Sequence, residues 1–410
     1  MIALIRRWAL DVRLVFAIGV LSLFGIAMIY SAGQVHIPNP VTDGAWLRQS
    51  LWFVLALAAF SFLARVPLRW FEWAAVPAYV ISVLLLAITL VIGTGSGTAA
   101  GVRSWIDLGF ISFQPAEIAK LATVLVVARL LAQRENPLAS LRDLVAPSAL
   151  VGLPLALVML QPDLGTAMAF VGILLAMLYW AGTPVALLLL VASPVVSLFV
   201  SYDTSAWSLY ILAVIGFLYL YRYRLFLFES VALVLANFAA ATISRPLWNS
   251  LETYQQNRIL VFLNPEMDPR GAGYQVIQSK IAVGSGGLLG QGFMMGPQKR
   301  YDFLPEQHTD FIFSVVGEEL GFVGTLLALV AFGYVLSRLI KLAEWSHDPF
   351  AGLVLLGIFG AWLVHVFVNI GMTVGLVPIT GIPLPFVSYG GTFLFMSWVA
   401  VAISVRVAHE

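Results

Sequence analysis

Ionisable side chains meet a long apolar run in the stretch Phe303-Leu304-Pro305-Glu306-Gln307-His308-Thr309-Asp310-Phe311-Ile312-Phe313. The apolar residues continue to Leu336, which is long enough for a membrane-spanning helix. A carboxylate at the edge of such a helix is costly, so it is by default a functional-site hypothesis. Asp310 is therefore the first candidate for a functional residue.

The composition is that of a membrane protein. Sixty per cent of the residues are hydrophobic and 10% are charged, whereas about a quarter of the residues of soluble domains are charged. The net charge of +1 provides no basic field for nucleic acid. The absence of cysteine excludes disulfides, thiolate metal sites and a cysteine nucleophile. We therefore predict an all-α fold, a polytopic transmembrane helix bundle, with residues 1–410 as a single integral-membrane domain.

Twelve apolar segments, separated by proline, glycine or charged residues, are candidate spans. They begin near Leu14, Leu51, Trp73, Ile118, Leu144, Thr166, Val185, Trp207, Leu225, Phe311, Phe350 and Phe386. The fourth, sixth, seventh and eighth are short or weakly bounded. An even number of spans places both termini on one side, and 13 of the 22 basic residues fall on that side, which the positive-inside rule assigns to the cytoplasm.

The largest segment between spans covers residues 250–309 and is expected to be a structured extracytoplasmic loop. Apolar residues recur at helical spacing over residues 276–281, which predicts a short helix at the membrane surface. Residues 284–292 contain five glycines. Such a run forms either a phosphate-binding nest or a plain mobile turn, and the sequence leaves both open.

Further polar clusters fall on the same outer side. Glu117 and Lys120 share one helix face, and a lone lysine in the bilayer costs roughly 2.5–3.5 kcal/mol. They are expected to pair or to face a polar cavity; a purely structural ion pair is the alternative. Arg103 lies in the preceding loop. Asp163, in a Pro-Asp-Leu-Gly sequence, is either a turn or cap residue or a ligand.

The segment from Pro378 to Gly391 contains three prolines and three glycines and interrupts two apolar spans. Irregular backbone at membrane depth is tolerated only where protein or a watery cavity satisfies it. The segment is therefore either a re-entrant element or a rigid turn. His308 would be weak evidence alone, and its interest comes from lying two residues before Asp310.

Five of these motifs together resemble the SEDS family, which includes the RodA and FtsW glycosyltransferases. They are Gln-Pro-Ala-Glu-Ile-Ala-Lys (114–120), Gln-Pro-Asp-Leu-Gly-Thr (161–166), Gly-Tyr-Gln-Val-Ile-Gln-Ser-Lys-Ile-Ala (273–282), Leu-Pro-Glu-Gln-His-Thr-Asp-Phe (304–311) and Pro-Leu-Pro-Phe-Val-Ser-Tyr-Gly-Gly (383–391). The second and third are more similar to the elongation branch, RodA, than to the division branch.

The resemblance implies a peptidoglycan glycosyltransferase that polymerises lipid II and releases undecaprenyl pyrophosphate, with Asp310 as the catalytic residue. It also implies a class B penicillin-binding protein as partner, and a bacterial inner-membrane location with the active site facing outward. The side chains expected to bind substrate are Arg103, Glu117, Lys120, Lys280, His308, Ser388 and Tyr389. No nucleic acid is expected to bind.

The residue types support this chemistry. Asp310 is expected to accept the proton of the acceptor hydroxyl, while Arg103 and Lys120 stabilise the departing pyrophosphate. In the alternative, Asp310 and Glu306 hold a divalent cation, magnesium or manganese. Two other functions compete with polymerisation: a flippase or transporter for a lipid-linked sugar, and a non-catalytic cell-wall scaffold.

Two features depart from the family pattern. The family usually has ten spans, so residues 207–248 are expected to form an extra transmembrane hairpin beside about ten core spans. Gln307 stands where the family often has arginine or alanine, which affects local contacts only.

Overall fold

The structure is a computed structural model that describes residues 11–36, 42–95, 103–107, 109, 112–134, 136, 138–221, 226–251, 253–268 and 271–407. The helices in these ranges are α1 (Val12–Ala32), α2 (Ala45–Leu63), α3 (Leu68–Ile92), α4 (Pro115–Ala132), α5 (Leu141–Leu160), α6 (Leu164–Trp180), α7 (Val185–Val200), α8 (Thr204–Tyr221), α9 (Leu227–Ser250), α10 (Thr253–Leu263), α11 (Ala272–Ser285), α12 (Pro297–Arg300), α13 (Ile312–Trp345), α14 (Pro349–Val374) and α15 (Gly391–Val407). Strands β1 (Ile106–Asp107) and β2 (Ser112–Phe113) pair antiparallel.

The fold class is confirmed: the described chain is a helix bundle with almost no sheet. Seven of its helices are long and apolar enough to cross a membrane, and four shorter helices, α6, α7, α8 and α15, are apolar. The remaining expected span is the fourth, which corresponds to α4 and carries Glu117, Lys120 and Arg129. Charged side chains inside a spanning helix require internal partners, and α4 is accordingly buried along most of its length.

The start of the last helix differs from the prediction. A span beginning near Phe386 was expected from the apolar residues there, but α15 begins only at Gly391. Phe386 has a positive φ of 66°, and the nearby prolines have no N–H to donate to a helix. The apolar residues before Gly391 are instead buried as irregular chain, including Leu384, Phe386 and Val387.

Helix α14 lies at the centre of the bundle and packs against α4, α6, α13 and α15. Small residues allow the closest of these approaches. At the crossing of α6 and α14, a Cβ on Gly360 would strike the Gly172 carbonyl oxygen. Small residues at helix interfaces let backbones approach closely in membranes, and here they place the polar side chains of α14 next to α4.

The glycine-rich run 284–292 fills a break in α13. The break is at Gly321, where φ is 64° and ψ is −162°. Gln291 N and Gly292 N donate to the carbonyls of Glu318 (2.9 Å) and Glu319 (3.0 Å), and Phe322 N donates to Gly287 O (2.8 Å). The Gln291 and Gly292 amides are thus occupied by carbonyl groups of α13 and are not free to bind phosphate. The run is largely exposed, but these hydrogen bonds attach it to α13 at the break.

A buried ion pair holds the short helix α12 against α13. Lys299 and Glu319 have side chains with 0% exposure and are joined at 2.6 Å. The Lys299 ammonium also donates to Ser31 Oγ of α1 at 2.8 Å. Burial lowers the pKa of Lys299, and the Glu319 carboxylate opposes this shift. The pair thus fixes the segment before Asp310 to two spanning helices.

The described residues of the expected hairpin 207–248 fall mainly on α8 and α9, which pack on α7, and its expected basic turn at 222–224 lies outside the described residues. Hydrogen bonds between polar side chains hold them together. Asn237 Nδ2 of α9 donates to Ser193 Oγ of α7 (2.8 Å), and the Tyr210 hydroxyl of α8 donates to the Ser193 carbonyl (2.7 Å). None of the described residues of this hairpin lines the cavity described below.

Candidate functional site

A cavity of about 170 Å³ lies where six separate parts of the chain meet. Its walls come from the two residues before β1, the N-terminal ends of α4 and α6, helix α10, the segment before α13, and the segment that leads into α15. The lining residues are Ser104, Trp105, Gln114, Pro162, Asp163, Thr166, Arg258, Glu306, Thr309, Asp310, Thr380, Gly381, Pro383, Tyr389, Gly390 and Phe393.

Asp310 lies in this cavity, two residues before α13 begins. Asn369 of α14 holds its backbone, since Asn369 Nδ2 donates to the carbonyls of Asp310 (2.9 Å) and Ile382 (2.7 Å). The carboxylate faces Gly381, where an added Cβ would come within 3.3 Å of Asp310 Oδ2. One amide side chain therefore fixes both the catalytic candidate and the wall opposite it.

The segment before α15 is fastened to the segment that carries Asp310. Tyr389 N donates to the His308 carbonyl (2.9 Å), and Ser388 Oγ donates to the Thr309 carbonyl (2.6 Å) while accepting from Leu384 N (2.8 Å). Gln49 of α2 holds the same segment. Its Nε2 donates to the Ser388 carbonyl (3.2 Å) and its Oε1 accepts from Gly390 N (3.1 Å).

The environment raises the pKa of Asp310 to about 7. Desolvation is the largest cause, and the neighbouring Glu306 carboxylate raises the pKa further, while Arg258 lowers it. Near neutral pH the carboxylate is thus partly ionised and is a much stronger base than an exposed aspartate.

Asp163 acts both as a helix cap and as a wall of the cavity. Its Oδ1 accepts from Thr166 N (3.0 Å) at the start of α6, and Gln114 Nε2 donates to its Oδ2 (3.1 Å). Burial raises the pKa of Asp163, and the positive charge of Lys120 opposes that shift. The interpretation of Asp163 as a cap residue is therefore confirmed, while its role as a ligand stays a prediction.

Glu117 and Lys120 form the expected buried pair at 2.9 Å, but they lie behind Phe393. They line a second cavity of about 40 Å³. Phe393 lines both cavities, and the Lys120 ammonium lies 5.1 Å from its ring centroid. Lys120 therefore lies outside the lining of the Asp310 cavity, and Phe393 of α15 lies between the two cavities. Binding of substrate by Glu117 and Lys120 stays a prediction.

The other expected substrate-binding residues lie in different places. Tyr389 lines the cavity, whereas Ser388 and His308 are buried behind the wall, with the His308 ring 5.4 Å from that of Tyr389. Arg103 is exposed beside lining residues of the β-hairpin. Lys280 is exposed on α11 with its ammonium over Gly375 at the end of α14. Substrate binding by Arg103 and Lys280, outside the wall, stays a prediction.

Arg258 is a site residue that the sequence pattern does not single out. It is the one cation among the described residues that line the cavity, and its charge acts on Asp310. Helix α10 carries it within the 250–309 segment, which contains five basic residues. The apolar residues that follow Arg258 predict a helix, but they do not predict that its side chain lines a cavity.

The raised pKa of Asp310 predicts a pH-dependent effect of substitution on stability. Because the folded pKa (about 7) exceeds the ordinary value of 3.8, the folded state holds the proton more tightly and loses stability as the pH rises between these values. Asp310→Asn should therefore melt at nearly the same temperature as the parent chain near pH 4 and a few degrees higher at pH 8. Equal melting temperatures at pH 8, measured in detergent, would contradict the desolvated carboxylate.

Comparisons with known proteins agree with this arrangement. A family model described as "Cell cycle protein", covering FtsW, RodA and SpoVE, matches residues 11–208 and 185–410. The chain is 34% identical to peptidoglycan glycosyltransferase RodA of Treponema pallidum, over 97% of each protein. It is 36% identical to peptidoglycan glycosyltransferase MrdB of Escherichia coli K12, over 90% of this chain and 87% of that protein.

Solved structures give the same result. A structure described as "Structural coordination of polymerization and crosslinking by a peptidoglycan synthase complex" contains a chain that matches with a TM-score of 0.71 at 32% identity, covering 98% of both chains. The rod-shape-determining protein RodA of Thermus thermophilus matches with a TM-score of 0.63 at 27% identity, covering 98% of this chain and 97% of that one. The chain therefore belongs to the SEDS family of FtsW, RodA and SpoVE proteins.

Proposed function

We propose that this chain polymerises lipid II into glycan strands in the cavity of Asp310, with Asp310 as the general base. The chain is a peptidoglycan glycosyltransferase, the activity for which its relatives RodA and MrdB are named. The observation that supports the role of Asp310 is its position: a desolvated carboxylate with a pKa of about 7 shares a cavity with one arginine. A base works best when its pKa lies near the operating pH.

The reaction needs one base and one stabilising cation. Asp310 accepts the proton of the acceptor sugar's 4-hydroxyl as that oxygen bonds to the donor's anomeric carbon. The bond from that carbon to the pyrophosphate oxygen breaks, and undecaprenyl pyrophosphate leaves with the bonding electrons. A pyrophosphate needs no protonation to depart, in contrast to the alcohol released in glycoside hydrolysis. Arg258 stabilises the negative charge that develops on it.

Besides lipid II, the cavity is a candidate binding site for a divalent cation. Glu306, Asp310 and Asp163 all contribute carboxylates to its lining. Magnesium is commonly held by one or two carboxylates together with substrate phosphate oxygens, and this donor set fits that pattern, with Asp310 and Glu306 as the protein ligands. When bound, the cation would supply charge neutralisation for the diphosphate. Polymerisation that stops in EDTA and returns with magnesium or manganese would support this role.

Arg258 should contribute substantially to turnover. Arg258→Gln removes the only cation among the described lining residues, and losing one hydrogen bond to a charged group corresponds to roughly a 10- to 100-fold lower rate. The matched control is Arg245→Gln, because Arg245 is an exposed arginine on α9 and does not line the cavity. Equal rates of lipid II polymerisation in the two purified variants would contradict the role of Arg258.

The setting of the reaction follows from the same relatives. This is a multi-pass protein of the bacterial inner membrane. We propose that both termini are cytoplasmic and that the cavity opens at the outer leaflet, where the basic residues are fewer. A class B penicillin-binding protein is the proposed partner, supported by the peptidoglycan synthase complex that contains a similar chain. Cell elongation is the proposed process, on the resemblance to RodA.

Purified protein mixed with lipid II in detergent tests the proposed function, because no bilayer is present across which lipid could be flipped. Polymerisation predicts glycan strands resolved by gel electrophoresis. Flipping of lipid II in liposomes with no strand formed in either system would favour the transporter. Intact cell-wall synthesis in cells that carry a folded Asp310→Ala chain as their only copy would favour the scaffold.

A further inference from the structure

The second cavity contains a histidine that the proposed mechanism does not use. His365 lies on α14 with 1% of its surface exposed, and its Nε2 lies 2.8 Å from the Lys120 ammonium. Its Nδ1 lies 3.0 Å from the Pro383 carbonyl oxygen. The imidazole therefore bridges the buried Glu117–Lys120 pair and the segment before α15.

The chemistry of the two neighbours fixes the protonation of this ring. An ammonium has only donors, so Nε2 carries no proton and accepts from Lys120. A carbonyl only accepts, so Nδ1 carries the proton and donates to Pro383. His365 is thus a neutral imidazole in a single tautomer. A doubly protonated ring would direct an N–H at the Lys120 ammonium.

The surroundings keep the imidazole in this orientation. The ring of Phe393 stacks on it, with centroids 4.8 Å apart and planes at 24°. Lys120 has three N–H donors, and Glu117 and His365 accept two of them. The Lys120 charge acts on Asp163, which lines the Asp310 cavity, and Pro383 lines that cavity as well. A change at His365 would thus reach the Asp310 cavity by two routes.

We infer that His365 is a positioning residue for polymerisation: as a hydrogen-bond acceptor it holds the Lys120 ammonium between Glu117 and Phe393, where its charge acts on Asp163 in the cavity wall. This inference rests on the proposed function. It concerns the bond to Lys120, and it assigns to the Pro383 bond the lesser role of setting the tautomer.

Two amide substitutions separate these bonds. Glutamine places an oxygen acceptor near the position of Nε2 but loses the donor to Pro383, whereas asparagine keeps a donor near Nδ1 but loses the acceptor. We expect His365→Gln to keep kcat within about threefold of the parent chain. We expect His365→Asn to lower kcat roughly 10- to 100-fold, the effect of losing one hydrogen bond to a charged group. KM for lipid II should be unchanged, because neither His365 nor Lys120 lines the Asp310 cavity.

An active His365→Asn variant together with an impaired His365→Gln variant would overturn the inference and assign His365 to anchoring Pro383. A His365→Gln variant impaired as much as His365→Asn would overturn it as well. Full activity of both variants would overturn it too. A double-mutant cycle guards against misfolding effects: in a Lys120→Met background, His365→Asn should lower the rate no further, and a further loss of the same size would contradict the inference. A parent chain that makes no strands at all would instead count against the proposed function.

A spectroscopic measurement tests the tautomer without an activity assay. Nitrogen-15 NMR of histidine-labelled protein, with the His365 signal assigned by its loss in His365→Gln, should show a neutral Nδ1–H ring throughout pH 5–9. A protonated imidazolium signal from His365 within that range would overturn the inference.

Discussion

Asp310→Asn is expected to lower the rate of glycan polymerisation by about two to four orders of magnitude, the range for removal of a general base. The amide is nearly isosteric with the carboxylate but cannot accept the proton of the attacking hydroxyl. Because Asn369 holds the backbone of residue 310 through its carbonyl, the variant should fold and retain the cavity. The measurement is the initial rate of strand formation from lipid II by purified protein.

The matched control is Asp302→Asn, because Asp302 is an exposed aspartate in the segment that leads to Asp310 and does not line the cavity. Its rate should stay close to that of the parent chain. Binding of lipid II by Asp310→Asn should also stay within a few-fold, since the lost interaction develops in the transition state. If Asp310→Asn polymerised as fast as Asp302→Asn, Asp310 would have no part in proton transfer.

The largest effect on stability is expected at the buried pair of Lys299 and Glu319. Glu319→Gln leaves the Lys299 ammonium without its carboxylate while both side chains stay at 0% exposure. Removing one partner of such a pair destabilises a protein by roughly 3–5 kcal/mol because the other charge remains buried and uncompensated. We expect a large fall in melting temperature together with loosening of the segment that leads to Asp310.

Glu344→Gln is the control for this substitution, since Glu344 is an exposed glutamate near the end of the same helix α13. A surface change of this kind usually alters stability by less than about 0.5 kcal/mol. The double variant Glu319→Gln, Lys299→Met removes both charges and should recover much of the lost stability. A Glu319→Gln protein as stable as Glu344→Gln would show that the ion pair contributes little.

The spans were predictable from the sequence because twenty-residue apolar segments have few alternatives in a lipid bilayer. The location of Asp310 in a cavity was predictable for a related reason, because a carboxylate beside such a segment is costly in contact with lipid. The pairing of Glu117 with Lys120 followed from their spacing on one helix face. In each case a local rule determines the outcome.

The parts that could not be predicted depend on contacts between distant segments. Phe393, 273 positions after Lys120 in the chain, separates that lysine from Asp310, and no local pattern reports this. Arg258 lines the cavity because of the orientation of α10, and the hydropathy of the sequence does not determine that orientation. The glycine-rich run is structural because α13 breaks at Gly321, 29 residues after the run ends at Gly292.

The pH dependence of kcat/KM for lipid II polymerisation tests the role of Asp310 most directly. With a pKa of about 7, a carboxylate that must be ionised to act makes log(kcat/KM) fall by one for each pH unit below that value and level off above it. Asp310→Asn should show a low, flat residual rate over the same range. A parent profile that is flat from pH 5 to pH 8 would contradict a base with this pKa.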